Sequence, residues 1–115
     1  MDKKIYELHA EICKTLANSK RLEIINALRD AEKSVNELVA IVSLSQSNIS
    51  QHLTILRQKN IVSTRRDGSH IYYKLAYPEM IKACEIIRGV LQKQLAGNTR
   101  LSKRVKWGGL KNENK

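Results

Sequence analysis

The chain has 115 residues, 42% of them hydrophobic and 28% charged, enough for one compact core and too few for two. Its 21 Lys and Arg against 11 Asp and Glu give a net charge of +10, an excess that favours polyanionic partners, nucleic acid above all. No apolar run approaches the roughly 18 residues of a membrane span, and no signal-peptide core, nucleophile–base pair or Gly-rich phosphate cradle is visible, so a cytoplasmic, non-enzymatic protein is expected.

The charge is unevenly spread. Residues 1–96 hold 15 basic and 10 acidic side chains, and residues 97–115 hold 6 and 1. That contrast predicts a folded domain over 1–96 and a basic tail over 97–115. In the tail, Arg100, Lys103, Arg104 and Lys106 are candidates for phosphate contacts and Trp107 for an anchor; a purely solubilising segment accounts for the same composition.

In chain order, Ile5, Leu8, Ile12 and Leu16 recur at helical spacing and predict an amphipathic helix over 3–17. Asn18 or Ser19 can cap a second helix with Leu22, Ile25 and Leu28 on one face. Ser34 and Glu37 stand in the Ser-x-x-Glu arrangement of a capping box and open a short helix whose inner face is Val35, Leu38, Val39 and Val42. Ser43 and Leu44 break that rhythm, and Ser45 can cap the next helix. After Asn60 the period becomes strand-like. Two runs of β-formers flank Asp67-Gly68, a dipeptide suited to a two-residue type I′ hairpin turn. Pro78 then opens a last helix. In it Met80, Cys84, Ile87 and Leu91 form a seam suited to a partner helix.

The expected fold is therefore mainly α with a small β-hairpin: a winged helix-turn-helix. Its second helix carries the chemistry. Ile49, Leu53 and Leu56 lie within about 60° of one another at 100° per residue and must face the core. Ser47, Gln51, Thr54 and Gln58 lie opposite. These short, neutral donors and acceptors suit base edges in the major groove, where Gln grips adenine and Ser or Thr serves any base. A recognition helix docks through its N-terminal residues, here Ser45, Gln46, Ser47 and Asn48. His52 and Arg57 flank the stripe as phosphate candidates. On the hairpin, Arg65, Arg66 and His70 are candidates for minor-groove or phosphate contacts. Charges on a hairpin also serve simply to block edge-to-edge pairing.

Three segments, "LANSKRLEIINAL", "SVNELVAIVSLSQSNISQHLTILRQKNIV" and "RRDGSHIYYKL", closely resemble the ArsR/SmtB family of winged-helix repressors from about Leu16 to Leu75. The family's recognition-helix pattern ending in Ser-x-His-Leu is matched across Gln46, Ser47, Ser50, His52 and Leu53, with Gln46 standing four positions before Ser50, and its Arg-x-x-Gly wing by Arg65 to Gly68. The resemblance implies a DNA-binding regulator, commonly a repressor released by an inducer, and a homodimer packed through its first and last helices on a palindromic double-stranded operator. A winged-helix protein-interaction module without operator specificity is the alternative from another class.

The sensing end departs from the family's known sites. Where its arsenic and cadmium sensors place Cys-x-Cys, this chain has Ser34, Val35, Asn36 and Glu37. Where its zinc sensors need Asp and His, residues 78–95 contain neither. Asn26 stands near the position of the second-helix cysteine of its thiol sensors. Three sensing candidates remain, Cys13, Cys84 and His9, the last one turn before Cys13. They permit a soft metal or metalloid site, a thiol switch with no cofactor, or two cysteines that merely fill the core.

Overall fold

Local sequence sets where each helix begins. The computed structural model describes residues 2–97, so the tail candidates Arg100, Lys103, Arg104, Lys106 and Trp107 lie outside the described residues. Helix α1 spans Lys3–Leu16, α2 Ser19–Ala27, α3 Val35–Val42 and α4 Gln46–Gln58. Each starts on a side chain that accepts from an otherwise unpaired first-turn amide. Asp2 accepts from Lys4 N at 3.0 Å, Asn18 from Lys20 N at 3.0 Å and Arg21 N at 3.1 Å, and Ser45 from Asn48 N at 3.1 Å. At α3 the capping box is complete: Glu37 N donates to Ser34 Oγ at 3.2 Å and Ser34 N to Glu37 Oε1 at 2.8 Å. Each cap contributes about 1 kcal/mol to its helix.

Helix ends are set by two left-handed residues, Ser43 (φ 61°) after α3 and Asn60 (φ 60°) after α4. The second completes a Schellman motif. Ile61 N donates to Leu56 O at 2.9 Å and Asn60 N to Arg57 O at 3.0 Å, while Ile61 and Leu56 are both buried. The chain therefore turns out of α4 directly into a strand. Strand β2 (Val62–Asp67) pairs antiparallel with β3 (His70–Leu75). A two-residue strand, β1 (Lys33–Ser34), adds to the other edge of β3, giving the order β1-β3-β2. Two residues are too few to show a periodicity, so β1 leaves no trace in the sequence pattern.

The hairpin turn corrects one expectation. Asp67 pairs with His70, so the loop residues are Gly68 and Ser69 rather than Asp67 and Gly68. Only Gly68 has positive φ, at 63°, whereas a type I′ turn needs it at both positions. This is the pattern of a type II′ turn, with glycine first because only glycine enters that conformation cheaply.

The core of residues 2–78 is built from Ile24, Ile25, Leu28, Leu38, Val42, Ile49, Leu53, Leu56, Ile61, Val62 and Leu75, all buried. Ile24 joins the predicted α2 face and Leu22 is only half-buried, because α2 meets α1 on one side and α3 on the other.

The last helix, α5 (Glu79–Ala96), belongs to a second unit that begins at Glu79. Here the predicted seam divides. Cys84 is buried along with Ile81 and Leu95, whereas Ile87 and Leu91 are exposed with Ile86 and Val90. On a helical wheel the two sets are centred roughly 120° apart, with Leu91 only about 20° from Cys84. α5 is therefore apolar over one broad arc, part of it buried and part open.

Candidate nucleic-acid interface

Helix α4 sorts its side chains by face. Ile49, Leu53 and Leu56 are each 0% exposed, and Ser47, Gln51, Thr54 and Gln58 are all exposed. Buried isoleucine and leucine contribute about 1.5–3 kcal/mol apiece, so packing holds the helix although its outer residues are poor helix formers. No carboxylate occurs anywhere in α4, and its first turn, Gln46 to Asn48, is exposed. An unshielded helix N-terminus with neutral side chains suits approach to a polyanion.

Not every candidate is equally free. Thr54 Oγ1 donates back to Ser50 O at 2.9 Å, which leaves its lone pairs and methyl group for a partner. Ser45 is engaged as the cap and Ser50 is half-buried. Arg57 is exposed in the last turn.

His52 differs from its expected role as a flanking cation. It is half-buried, and its Nδ1 accepts from Arg21 Nε at 3.3 Å. Burial, and then the Arg21 charge, hold its pKa below the ordinary 6.5. The ring is thus neutral near pH 7, with its proton on Nε2, and offers a donor rather than a charge. Arg21 also donates from Nη1 to Thr15 O at 3.1 Å, joining the end of α1 to α2 and α4. A second tie runs from Lys59, at the C-cap of α4, to Glu11 Oε1 at 3.3 Å.

On the wing, the arginines diverge. Successive strand residues point to opposite faces. Arg65 shares its face with Tyr72, its cross-strand partner, and lies over that ring with Cζ 4.8 Å from the centroid. Its Nε donates to Glu32 Oε1 at 3.0 Å, its Nη2 reaches Glu32 Oε2, and its Nη1 lies 3.8 Å from Asp67 Oδ2. The Arg65 hydrogen bond holds the Glu32 carboxyl below the usual glutamate range. Arg66 projects from the other face, opposite Ile71, exposed and without an ion pair among the described residues. His70 is exposed near the turn, its ring 6.3 Å from that of Tyr72.

Sequence reasoning did not foresee Arg21, Glu32 or Tyr72 as supports. Each acts on a residue at least seven positions away, beyond the reach of a helical or strand period.

At the sensing end, His9 and Cys13 are exposed on α1 and Cys84 is buried on α5; both cysteines are free thiols. Among the described residues no group of three or more His, Cys, Asp or Glu is placed to hold a metal ion, His9, Cys13 and Cys84 included.

The model of the bacterial regulatory protein arsR family matches residues 18–64, from the N-cap of α2 into β2. Over 106 residues the chain is 36% identical to the uncharacterised HTH-type transcriptional regulator Rv0081 of Mycobacterium tuberculosis, spanning 91% of this chain and 93% of that one. The chain belongs to the ArsR family. The crystal structure of Rv0081 matches with a TM-score of 0.76, over 85% of this chain and 99% of that one. The transcriptional activator HlyU of Vibrio cholerae is 40% identical over 66% of this chain and 70% of its own. Its structure has a TM-score of 0.69, over 78% of this chain and 97% of that one. A homodimeric winged helix-turn-helix DNA-binding domain of Mycobacterium bovis, Mb0332, matches at 25% identity and a TM-score of 0.74, over 85% of this chain and 93% of that one. The ArsR-family chain is a DNA-binding transcriptional regulator with a winged helix-turn-helix, not an enzyme. None of its described helices is long and apolar enough to cross a membrane.

Proposed function

We propose that this ArsR-family regulator acts in the cytoplasm as a homodimer on a palindromic operator, reading bases with Ser47, Gln51 and Thr54 and with the exposed first turn of α4. The observation that carries the reading is the sorting of α4: three side chains fully buried, four neutral polar ones exposed. Ser45, Ser50, the His52 Nε2–H donor and Arg57 border that face, and Arg66 and His70 extend it along the wing. Arg65, also a wing candidate from sequence, is already engaged by Glu32 and Tyr72.

The open apolar face of α5, with Ile86 69% and Ile87 68% exposed, supports the dimer, since such a face is stable in water when a second copy covers it. The first half of α1 likewise exposes Ile5, Tyr6 and Leu8. A two-fold dimer places its recognition helices in successive major grooves roughly 34 Å apart. Bound across a promoter, such a dimer represses by occlusion, and an inducer acting on Cys13, Cys84 or His9, by thiol chemistry or by a soft metal, releases it.

The test is fluorescence anisotropy on the chain's own promoter DNA, run reduced, oxidised and with a series of metals. Replacing Ser47 and Gln51 together by Ala is expected to abolish discrimination between operator and random duplex while leaving non-specific affinity in place. Sequence preference that survives the double change overturns the assignment of the reading face.

A further inference from the structure

The two wing arginines occupy opposite faces of the ribbon and have opposite surroundings. Arg65 faces three partners at once: the Glu32 carboxylate through two guanidinium nitrogens, the Tyr72 ring beneath it, and the Asp67 carboxylate at 3.8 Å. Glu32 and Asp67 offset the charge of Arg65, with Lys74 also acting on Glu32, so the Arg65 guanidinium is already engaged by carboxylates rather than offered to a phosphate. Arg66 has no such neighbour among the described residues and retains its full charge.

The position of Glu32 matters as much as its charge. It directly precedes β1, whose Ser34 is both the partner of Tyr72 in the sheet and the N-cap of α3. The Arg65–Glu32 tie thus fastens the wing to the start of the helix-turn-helix. A planar guanidinium held by a fork of two bonds and a ring face defines an angle, which a single point charge does not.

We propose that the wing arginines divide the work: Arg66 engages the DNA backbone, and Arg65 is a positioning residue that, held by Glu32 and Tyr72, sets the angle at which the wing meets DNA. This rests on the DNA-binding reading above and names which wing residue makes the contact.

Salt dependence separates the two roles, because each phosphate contact contributes about 0.9 to the log–log slope of affinity against salt. The full chain is titrated against a random-sequence duplex, so that operator identity does not enter. Arg66→Ala is expected to reduce the slope by about 0.9 per subunit. Arg65→Ala and Glu32→Gln are each expected to weaken binding by roughly two- to fivefold, the range a surface ion pair can supply, with the slope unchanged and no further loss when combined. The charge exchange Glu32→Arg with Arg65→Glu should recover binding lost in either single variant.

An Arg65→Ala slope that falls as far as that of Arg66→Ala, or tighter binding by Glu32→Gln, would overturn the division. The second result would mean that Glu32 competes with phosphate for Arg65. A wild-type chain that binds no duplex at any salt sinks the DNA-binding reading and, with it, the role of Arg66. The tie itself is judged without DNA. In nitrogen-15 spectra the Arg65 Nε–H should give a resolved resonance that is lost in Glu32→Gln and kept in Arg66→Ala; a resonance indifferent to Glu32 removes the tie.

Discussion

The recognition helix and the wing reach toward the same partner but are held by opposite means. α4 is fixed by apolar burial of Ile49, Leu53 and Leu56, so its outer polar groups remain largely unspent. The wing tip has no such anchor. Beyond Val62 and Leu75 its residues are half-buried or exposed, and it is held by polar side chains, Arg65 on Glu32 and Tyr72. A helix on a core can offer a whole face to a ligand, whereas a two-stranded ribbon in water uses part of its chemistry on itself.

The largest expected effect comes from attacking the apolar anchor. Leu53→Ala should cost about 2–5 kcal/mol in chemical denaturation, because the residue is fully buried and a cavity remains. Gln51→Ala, on the outer face two residues earlier, should stay within about 0.5 kcal/mol of wild type. Similar losses for the two would show that α4 is not sorted by face. A smaller effect is expected from the cap: Ser45→Ala should cost about 1 kcal/mol, with Ser45→Asp retaining most of the stability.

Much of this contrast is legible in the sequence, for a physical reason. The burial of Ile49, Leu53 and Leu56, the capping box of Ser34 and Glu37, and the Ser45 cap are all fixed by residues within four positions of each other, where helical geometry alone decides the contact. The supports are different in kind. Arg21 meets His52 across 31 positions and Arg65 meets Glu32 across 33, and only the folded chain brings them together. For the same reason the spacing on α5 does not tell a covered position from an open one. Met80, Cys84, Ile87 and Leu91 satisfy a heptad pattern and lie within about 60° of one another on the helical wheel, yet Cys84 is buried while Ile87 and Leu91 are exposed.

The smallest effect sharpens the contrast on α4 itself, at the polar tie between His52 and Arg21. His52 titrates below 6.5 in the folded chain, so between its folded and unfolded pKa values the unfolded chain binds more protons. Its contribution is complete above 6.5 and falls away as the pH drops through that window. Denaturation midpoints compared at successive pH values below 7 should show a steeper decline for wild type than for His52→Gln, whose amide oxygen can still accept from Arg21. Equal slopes would mean that His52 protonates in place without disturbing Arg21.

The Schellman turn that ends α4 has a consequence for the spacing of the chain. Ile61 is both the apolar plug of that turn and the residue immediately before β2, with no spacer between helix and ribbon. From Ile61 to the arginines the chain therefore counts like a ruler, and alternation along the strand makes the count binary. One residue inserted after Val62, with the pairing otherwise kept, would move Arg65 to the place opposite Ile71 on the open face and Arg66 to the place opposite His70 on the Tyr72 face, so that neither keeps its present surroundings. In this segment the length of the chain carries as much information as its letters.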